Sequence, residues 1–148
     1  MKKLIKKDQS GFTLIELLVV IAIIGLLSTL SVLALNSARA RSRDAKRVAD
    51  IKQVQTALEM YFNDNNTYPS SLTFGSPLAS SSVTYMAQLP NAPVPFDGSG
   101  CTAVTNSYAY SQSTSGASYS LTYCLGSNTG DVTAGLNTAT PAGIQSPK

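Results

Sequence analysis

The chain has no histidine and only two cysteines, and beyond residue 63 it has almost no basic side chain. Each shortage excludes something. Without histidine there is no imidazole general base, no His-based triad and no His metal ligand. From Asn63 onward the only basic side chain is Lys148, against Asp64, Asp97 and Asp131, although the whole chain carries a formal net charge of +3. The C-terminal half is therefore slightly acidic. It lacks the basic face that phosphate-backbone binding requires, so no direct nucleic-acid binding is expected. No nucleophile–base pair and no phosphate loop can be assembled either, so the chain is not expected to be an enzyme and offers no catalytic residues. After Pro69 large apolar residues are sparse and Ser, Thr, Gly and Asn crowd the sequence. Such a domain cannot bury a large core and leans on a staple or a partner.

The apolar residues are concentrated elsewhere. Residues 12–35 form a nearly unbroken apolar run in which Glu16 is the only charge. As a helix rising about 1.5 Å per residue, the run is long enough to span a bilayer. It is too long for the core of an ordinary signal peptide, and no small-x-small cleavage pattern follows it. Lys2, Lys3, Lys6 and Lys7 precede it, with Asp8; Arg39, Arg41, Arg43, Lys46 and Arg47 follow it, with Asp44. The positive-inside count is close to a tie, so the flanks alone leave the orientation open.

The helical pattern continues past the run. Residues 43–62 contain no Gly and no Pro, and Val48, Ile51, Val54, Leu58 and Tyr61 recur at spacings of three and four. That is one apolar stripe. Arg43, Lys46, Asp50, Gln53 and Gln55 are expected on the opposite face, and Asp44–Arg47 and Lys46–Asp50 are spaced as helix-surface ion pairs, each contributing a few tenths of a kcal/mol. Asn63, Asp64, Asn65 and Asn66 end the helix, because short polar side chains compete for backbone groups and Asn tolerates the left-handed conformation; Pro69 reinforces the stop. One helix of about 50 residues would measure about 75 Å.

Glu16 has two readings. As a residue close to the start of the run it can sit at the membrane interface and stay solvated. Deeper in hydrocarbon its carboxylate needs a cation, and a chain cut after Gly11 supplies one, the new α-amino group of Phe12 with an ordinary pKa of about 7.7–8.0. The sequence Lys6-Lys7-Asp8-Gln9-Ser10-Gly11-Phe12-Thr13-Leu14-Ile15-Glu16-Leu17-Leu18-Val19-Val20 resembles the class III signal of type IV pilins and type II secretion pseudopilins: a short basic leader ending in Gly, then Phe-Thr-Leu-x-Glu, then a long apolar helix. The likeness is dense over residues 6–35. It continues more weakly to Tyr68-Pro69-Ser70, where the sequence resembles the major pseudopilins.

The resemblance implies cleavage by a membrane prepilin peptidase between Gly11 and Phe12 and methylation of the new amine, which keeps its charge. It places the leader in the cytoplasm and makes the precursor a single-pass protein of the cytoplasmic membrane. Glu16 then neutralises the N-terminal amine as the subunit docks into a growing extracellular filament, a helical homopolymer whose core is the bundle of apolar helices. The implied partners are further copies of the chain, the peptidase, a membrane platform protein, an assembly ATPase, minor pilins, and the lipid bilayer before assembly. The chain also departs from the family. Leu33 stands where many pilins carry a proline, so local melting of the helix rests on Gly25, which costs about 1 kcal/mol relative to Ala and can equally serve as a close contact between helices.

In the polar half, 119–125 alternates as a strand does, and 107–111 does so more weakly; 113–116 reads as the hairpin loop between them. Residues 83–89 fit a short strand or a helical turn. A small antiparallel sheet would turn one face to the helix stripe. Cys101 and Cys124 are expected to pair if this half is exported, the alternative being two free thiols; the bond would contribute about 3 kcal/mol. The tail 126–148, anchored only by Val132, Leu136 and Ile144, is expected to be irregular. Asp97-Gly98 and Gly130-Asp131 invite a calcium reading, which the major pseudopilins would support. Asn91-Ala92-Pro93 stands where Asp-Pro is common, however, and calcium needs six or more oxygens. Turn aspartates explain both pairs, so no metal ligands are assigned and no cofactor is expected. Asn65-Asn66-Thr67 fits a glycosylation sequon.

The expected fold is α+β and pilin-like: a leader (1–11), a transmembrane and filament-core helix (12–35), its amphipathic continuation (36–62), and a small β-rich head with an irregular tail (63–148). Two functions follow. The chain is a filament subunit, or it is a membrane-anchored adhesion module on an uncleaved helix.

Overall fold

In the computed structural model the described residues are 11–98, 100–113 and 115–146. They form one helix and six strands: α1 (Leu14–Asn65), β1 (Leu78–Ser80), β2 (Val83–Met86), β3 (Ala109–Gln112), β4 (Tyr119–Leu125), β5 (Gly135–Thr140) and β6 (Gly143–Gln145). Of the expected leader (1–11), residues 1–10 lie outside the described residues. The chain divides after Ser37 into two compact units.

In the first unit every described residue is solvent-exposed. The few hydroxyls in its apolar run need no partner from outside. Ser28 Oγ donates to the Ile24 carbonyl, Thr29 Oγ1 to that of Leu26 and Ser31 Oγ to that of Leu27. Each is satisfied by its own helix, which is what an apolar solvent demands.

The second unit begins at Ala38 and contains the rest of α1 with both sheets. The helix stripe enters the core: Ile51, Val54, Ala57 and Leu58 are buried, with Val48 and Tyr61 packed at its margin. The helix runs to Asn65, and Asn66 then takes a left-handed φ of 55° while its N–H donates to the Phe62 carbonyl at 2.8 Å. That is the left-handed C-terminal cap expected of asparagine.

β1 and β2 pair antiparallel, which settles 83–89 in favour of a strand over 83–86. The second sheet is an antiparallel meander in the order β3-β4-β5-β6. β4 is its centre. Tyr119, Leu121, Tyr123 and Leu125 alternate inward and are all buried. The polar half compensates for its lack of aliphatic residues with rings: Tyr68 stacks on Phe62 and meets Tyr119 edge-on, and Phe74 meets Tyr108 edge-on. Offset and edge-to-face contacts of this kind contribute about 0.5–1.5 kcal/mol beyond area burial. Burial pushes the Tyr119 and Tyr123 phenols up to about 12, so both stay protonated.

Three sequence expectations are corrected. The tail is not irregular: it supplies β5 and β6, whose short alternation (Asn137 and Ala139 inward) is hidden by small residues. Leu136 is not an anchor, since it faces out from β5 and is half-exposed, whereas Val132 and Ile144 do pack against the core. Asp50 does not lie on a solvated face, and Asp44–Arg47 is not a surface pair: all three side chains are buried.

Candidate functional site

At the start of α1, Thr13 and Glu16 form a reciprocal capping box. The Thr13 N–H donates to Glu16 Oε2 at 2.8 Å and its hydroxyl donates to the same oxygen at 2.6 Å; the Glu16 N–H donates to Thr13 Oγ1 at 3.3 Å. The carboxylate is thereby turned back toward the N-terminal end of the helix, next to Phe12. Sequence reasoning missed this bond, although Thr-x-x-Glu before an apolar run is its signature. A Cβ added at Gly11 would meet nothing within 4 Å. No packing among the described residues therefore requires glycine before Phe12. Phe12 itself is 80% exposed. Gly25 also has open space around it, so its close-packing reading needs a neighbour from outside the subunit.

From Leu14 to Leu35 the large apolar side chains are exposed all round, from 45% at Val20 to 82% at Leu14. The best 18-residue window of α1 has a mean hydropathy of 2.8 and none of it is buried. This one helix is long and apolar enough to cross a membrane. A fully apolar helix of this length is at rest only in lipid or among other helices.

The head holds its charges the other way round, in a buried knot built from the first turns of the second unit. Arg47 is fully buried. It donates to Asp44 at 2.8 Å, to Asp97 at 3.3 Å, to the Pro93 and Pro95 carbonyls at 2.9 and 3.3 Å, and to Asn106 Oδ1 at 2.7 Å. Arg43 grips both Asp97 oxygens through Nε and Nη2. Its guanidinium holds the Asp97 carboxyl below its ordinary range, against burial, which raises it. Asp44 accepts in addition from the Gly126 N–H, the Ser127 N–H and the Ser127 hydroxyl at 3.1, 2.9 and 2.7 Å. One helix face thus ties together three loops. A Cβ at Gly126 would come within 2.4 Å of the Asp97 carbonyl carbon, so this close approach excludes any side chain there. A little farther along, Tyr108 donates to Asp50 at 3.1 Å while Lys46 pairs with the same carboxylate at 2.8 Å.

Cys101 and Cys124 are bonded, joining the loop after this knot to β4, and both are buried. Asp97 is the arginines' partner. Asp131 is exposed, and no group of three or more His, Cys, Asp or Glu side chains suited to a metal occurs among the described residues. The sequon asparagine Asn65 has its amide engaged: Nδ2 donates to the Tyr61 carbonyl at 2.8 Å and to the Tyr85 hydroxyl at 3.0 Å, and Oδ1 accepts from Ser80 at 2.8 Å. Its role in the structure is to join the helix end to the first hairpin.

Residues 6–32 match the prokaryotic N-terminal methylation motif. The similarity is then specific: the chain is 46% identical over 66 residues to the type II secretion system core protein G of Aeromonas hydrophila (45% of this chain, 46% of that one). It is 42% identical over 66 residues to the protein of that name from Pseudomonas aeruginosa (45% and 46%), and 44% identical over 63 residues to that of Escherichia coli K12 (43% of each). The chain thus spans a little under half the length of these curated relatives. No solved structure matches it.

Proposed function

We propose that the chain is the structural subunit of a pseudopilus-like filament, with no catalytic role, cut between Gly11 and Phe12 and assembled through residues 12–35. The observation that carries this reading is the methylation motif running directly into a helix whose apolar surface has no partner among the described residues. In this reading the precursor sits in the cytoplasmic membrane with its leader inside. The peptidase accounts for a glycine at position 11 that no packing among the described residues demands. The bilayer covers the helix before assembly, and the helices of neighbouring copies cover it in the extracellular filament. A platform protein, an ATPase and minor subunits supply the machinery. Glu16 pairs with the Phe12 amine, its own or a neighbour's, because both bilayer and filament core are poor solvents for a lone carboxylate.

The test is N-terminal and intact-mass analysis of protein sheared from the cell surface. Mature chains beginning at methylated Phe12 are expected, and Gly11→Leu is expected to leave a full-length, membrane-bound precursor. An intact Met1 on surface protein would instead mean an anchored adhesion module. Filaments of mature mass from Gly11→Leu would refute the assigned cleavage site.

A further inference from the structure

One side of α1 within the second unit projects a single long cation. Lys52 is exposed, and Ala49, Thr56 and Ala45, which share its side of the helix at spacings of three, four and seven, are exposed and short. Lys52 stands clear of them, and among the described residues it makes no ion pair.

A groove of opposite character opens farther along. It holds about 590 Å³ between the last turns of α1 and β2, and Glu59, Met60, Asp64, Val83 and Tyr85 line it. Met60 is 47% exposed and Val83 46%. Tyr68 donates to Glu59 at 2.9 Å and Tyr85 donates to Asp64 at 3.1 Å, so both carboxylates are held in place. Neither has a cationic partner among the described residues. Fixed carboxylates beside uncovered apolar side chains suit an aliphatic stem with a cationic tip, which is the chemistry of lysine.

We propose that this groove receives Lys52 of a second copy. The proposal deepens the reading of the chain as a filament subunit and rests on it. Charge selects the guest. Among the described residues the cations outside ion pairs are Arg39, Arg41 and Lys52. The two arginines adjoin the division after Ser37, whereas Lys52 lies well inside the unit that carries the groove. Helical geometry then makes the contact one between copies. Glu59 lies nearly in line with Lys52, but Met60 and Asp64 stand about 80° and 120° farther round the helix, so the groove faces mainly away from the side that Lys52 occupies. Donor and groove are different surfaces of one head, and a contact between them is heterologous. Such a contact repeats from copy to copy without closing, as a filament requires, whereas a two-fold pair closes as a dimer.

Ala49→Cys and Thr84→Cys flank the contact without removing any residue that makes it, since Thr84 also lines the groove. The two are combined in the full-length chain, and filaments sheared from cells are oxidised. Cys101 and Cys124 are bonded to each other and buried, so they do not compete. A ladder of linked dimers, trimers and longer species is expected from the double variant, and none from either single variant. Charge reversal supplies a second readout, mature subunit in sheared filaments against mature subunit left in the membrane. Lys52→Glu and Asp64→Lys should each lower that ratio about tenfold, and the two together should restore most of it. Double-cysteine filaments without a ladder mean that the docking is wrong while the filament reading stands. If the unsubstituted chain yields no surface filaments of mature mass, the filament reading fails and the docking fails with it. Dimers without longer species assign the groove to a closed pair and overturn the proposal. Rescue of Asp64→Lys by Arg41→Glu but not by Lys52→Glu assigns the groove to another guest and also overturns it.

Discussion

Leu33 in the apolar run is 68% exposed, while Arg47, at the start of the head, is completely covered. The two units distribute polarity in opposite senses, and each does so for lack of an alternative. Among the described residues the run has no partner that could cover its leucines and isoleucines. The head has too few aliphatic residues to fill its interior and fills it with tyrosine rings and a charge network. A chain built this way has one unit with a core of its own and one whose apolar surface calls for lipid or other helices. The contrast also separates two kinds of substitution. Changes in the head are read in folding stability, whereas changes in the run are read in insertion and assembly.

The largest effect on the head is expected from Arg47→Ala. It leaves Asp44 and Asp97 buried with fewer cationic partners and strands the Asn106 and Pro93 acceptors, at a cost of about 3–5 kcal/mol. Arg39→Ala, on an exposed side chain, should stay within about 0.5 kcal/mol. Denaturant unfolding of detergent-solubilised protein measures both. Equal effects would mean that the knot is not what holds the loops to the helix.

Removal of the disulfide comes next. Cys101→Ser with Cys124→Ser should lower stability by about 2–4 kcal/mol, because the bond closes a long loop in a domain with a small aliphatic core. Cys124 is fully covered, so two serine hydroxyls would also have to be accommodated in the interior.

Much of this was legible in the sequence, and the part that was not has a physical reason. The apolar run and the stripe from Val48 to Tyr61 stand out because helical periodicity repeats over many residues. β4 stands out because Tyr, Leu, Tyr and Leu alternate. β5 does not: its inward side chains, Asn137 and Ala139, are small or polar and look like loop residues. The knot was hidden for a different reason. Asp44 and Arg47 have the spacing of any surface pair, and their burial comes from Asp97, Asn106 and Ser127, which are distant in sequence and have no pattern linking them to the helix. At the N-terminus the reverse holds. The Thr13–Glu16 capping box is written in a four-residue signature, Thr-x-x-Glu, whose glutamate is also the one charge of the apolar run.

Acid is expected to have a smaller effect on the head. Arg43, bonded to Asp97, depresses that carboxyl's pKa in the folded state, so its contribution is fully present above the ordinary aspartate value of about 3.9 and is lost as pH falls through the lower folded value. Stability should therefore drop below about pH 4, and Asp97→Asn should be less stable at neutral pH yet flatter across that window. An unchanged slope in Asp97→Asn would assign the acid sensitivity to other carboxylates.

The smallest effect on the folded subunit, and the most informative for assembly, is expected at Glu16. The capping box gives Glu16 a structural role that needs no charge, because glutamine serves at that position as well as glutamate. Thr13→Ala removes the N-cap hydroxyl and should cost the helix start about 1 kcal/mol while leaving the carboxylate available. Glu16→Gln keeps an acceptor for the Thr13 N–H but has no charge to offer the Phe12 amine. If capping is the whole role of Glu16, Thr13→Ala is the more damaging change and Glu16→Gln is nearly silent. If Glu16 neutralises the amine, the order reverses. Glu16→Gln should then be folded, inserted and cleaved normally but strongly depleted from sheared filaments, and Glu16→Asp, with its shorter reach, should be intermediate. We expect this second order, because a bilayer or a helix bundle leaves the amine and the carboxylate little choice but each other. The quantity to compare is mature subunit in sheared filaments against mature subunit left in the membrane, at equal total levels. Normal filament yield from Glu16→Gln would reduce Glu16 to a cap and leave the amine to be neutralised elsewhere.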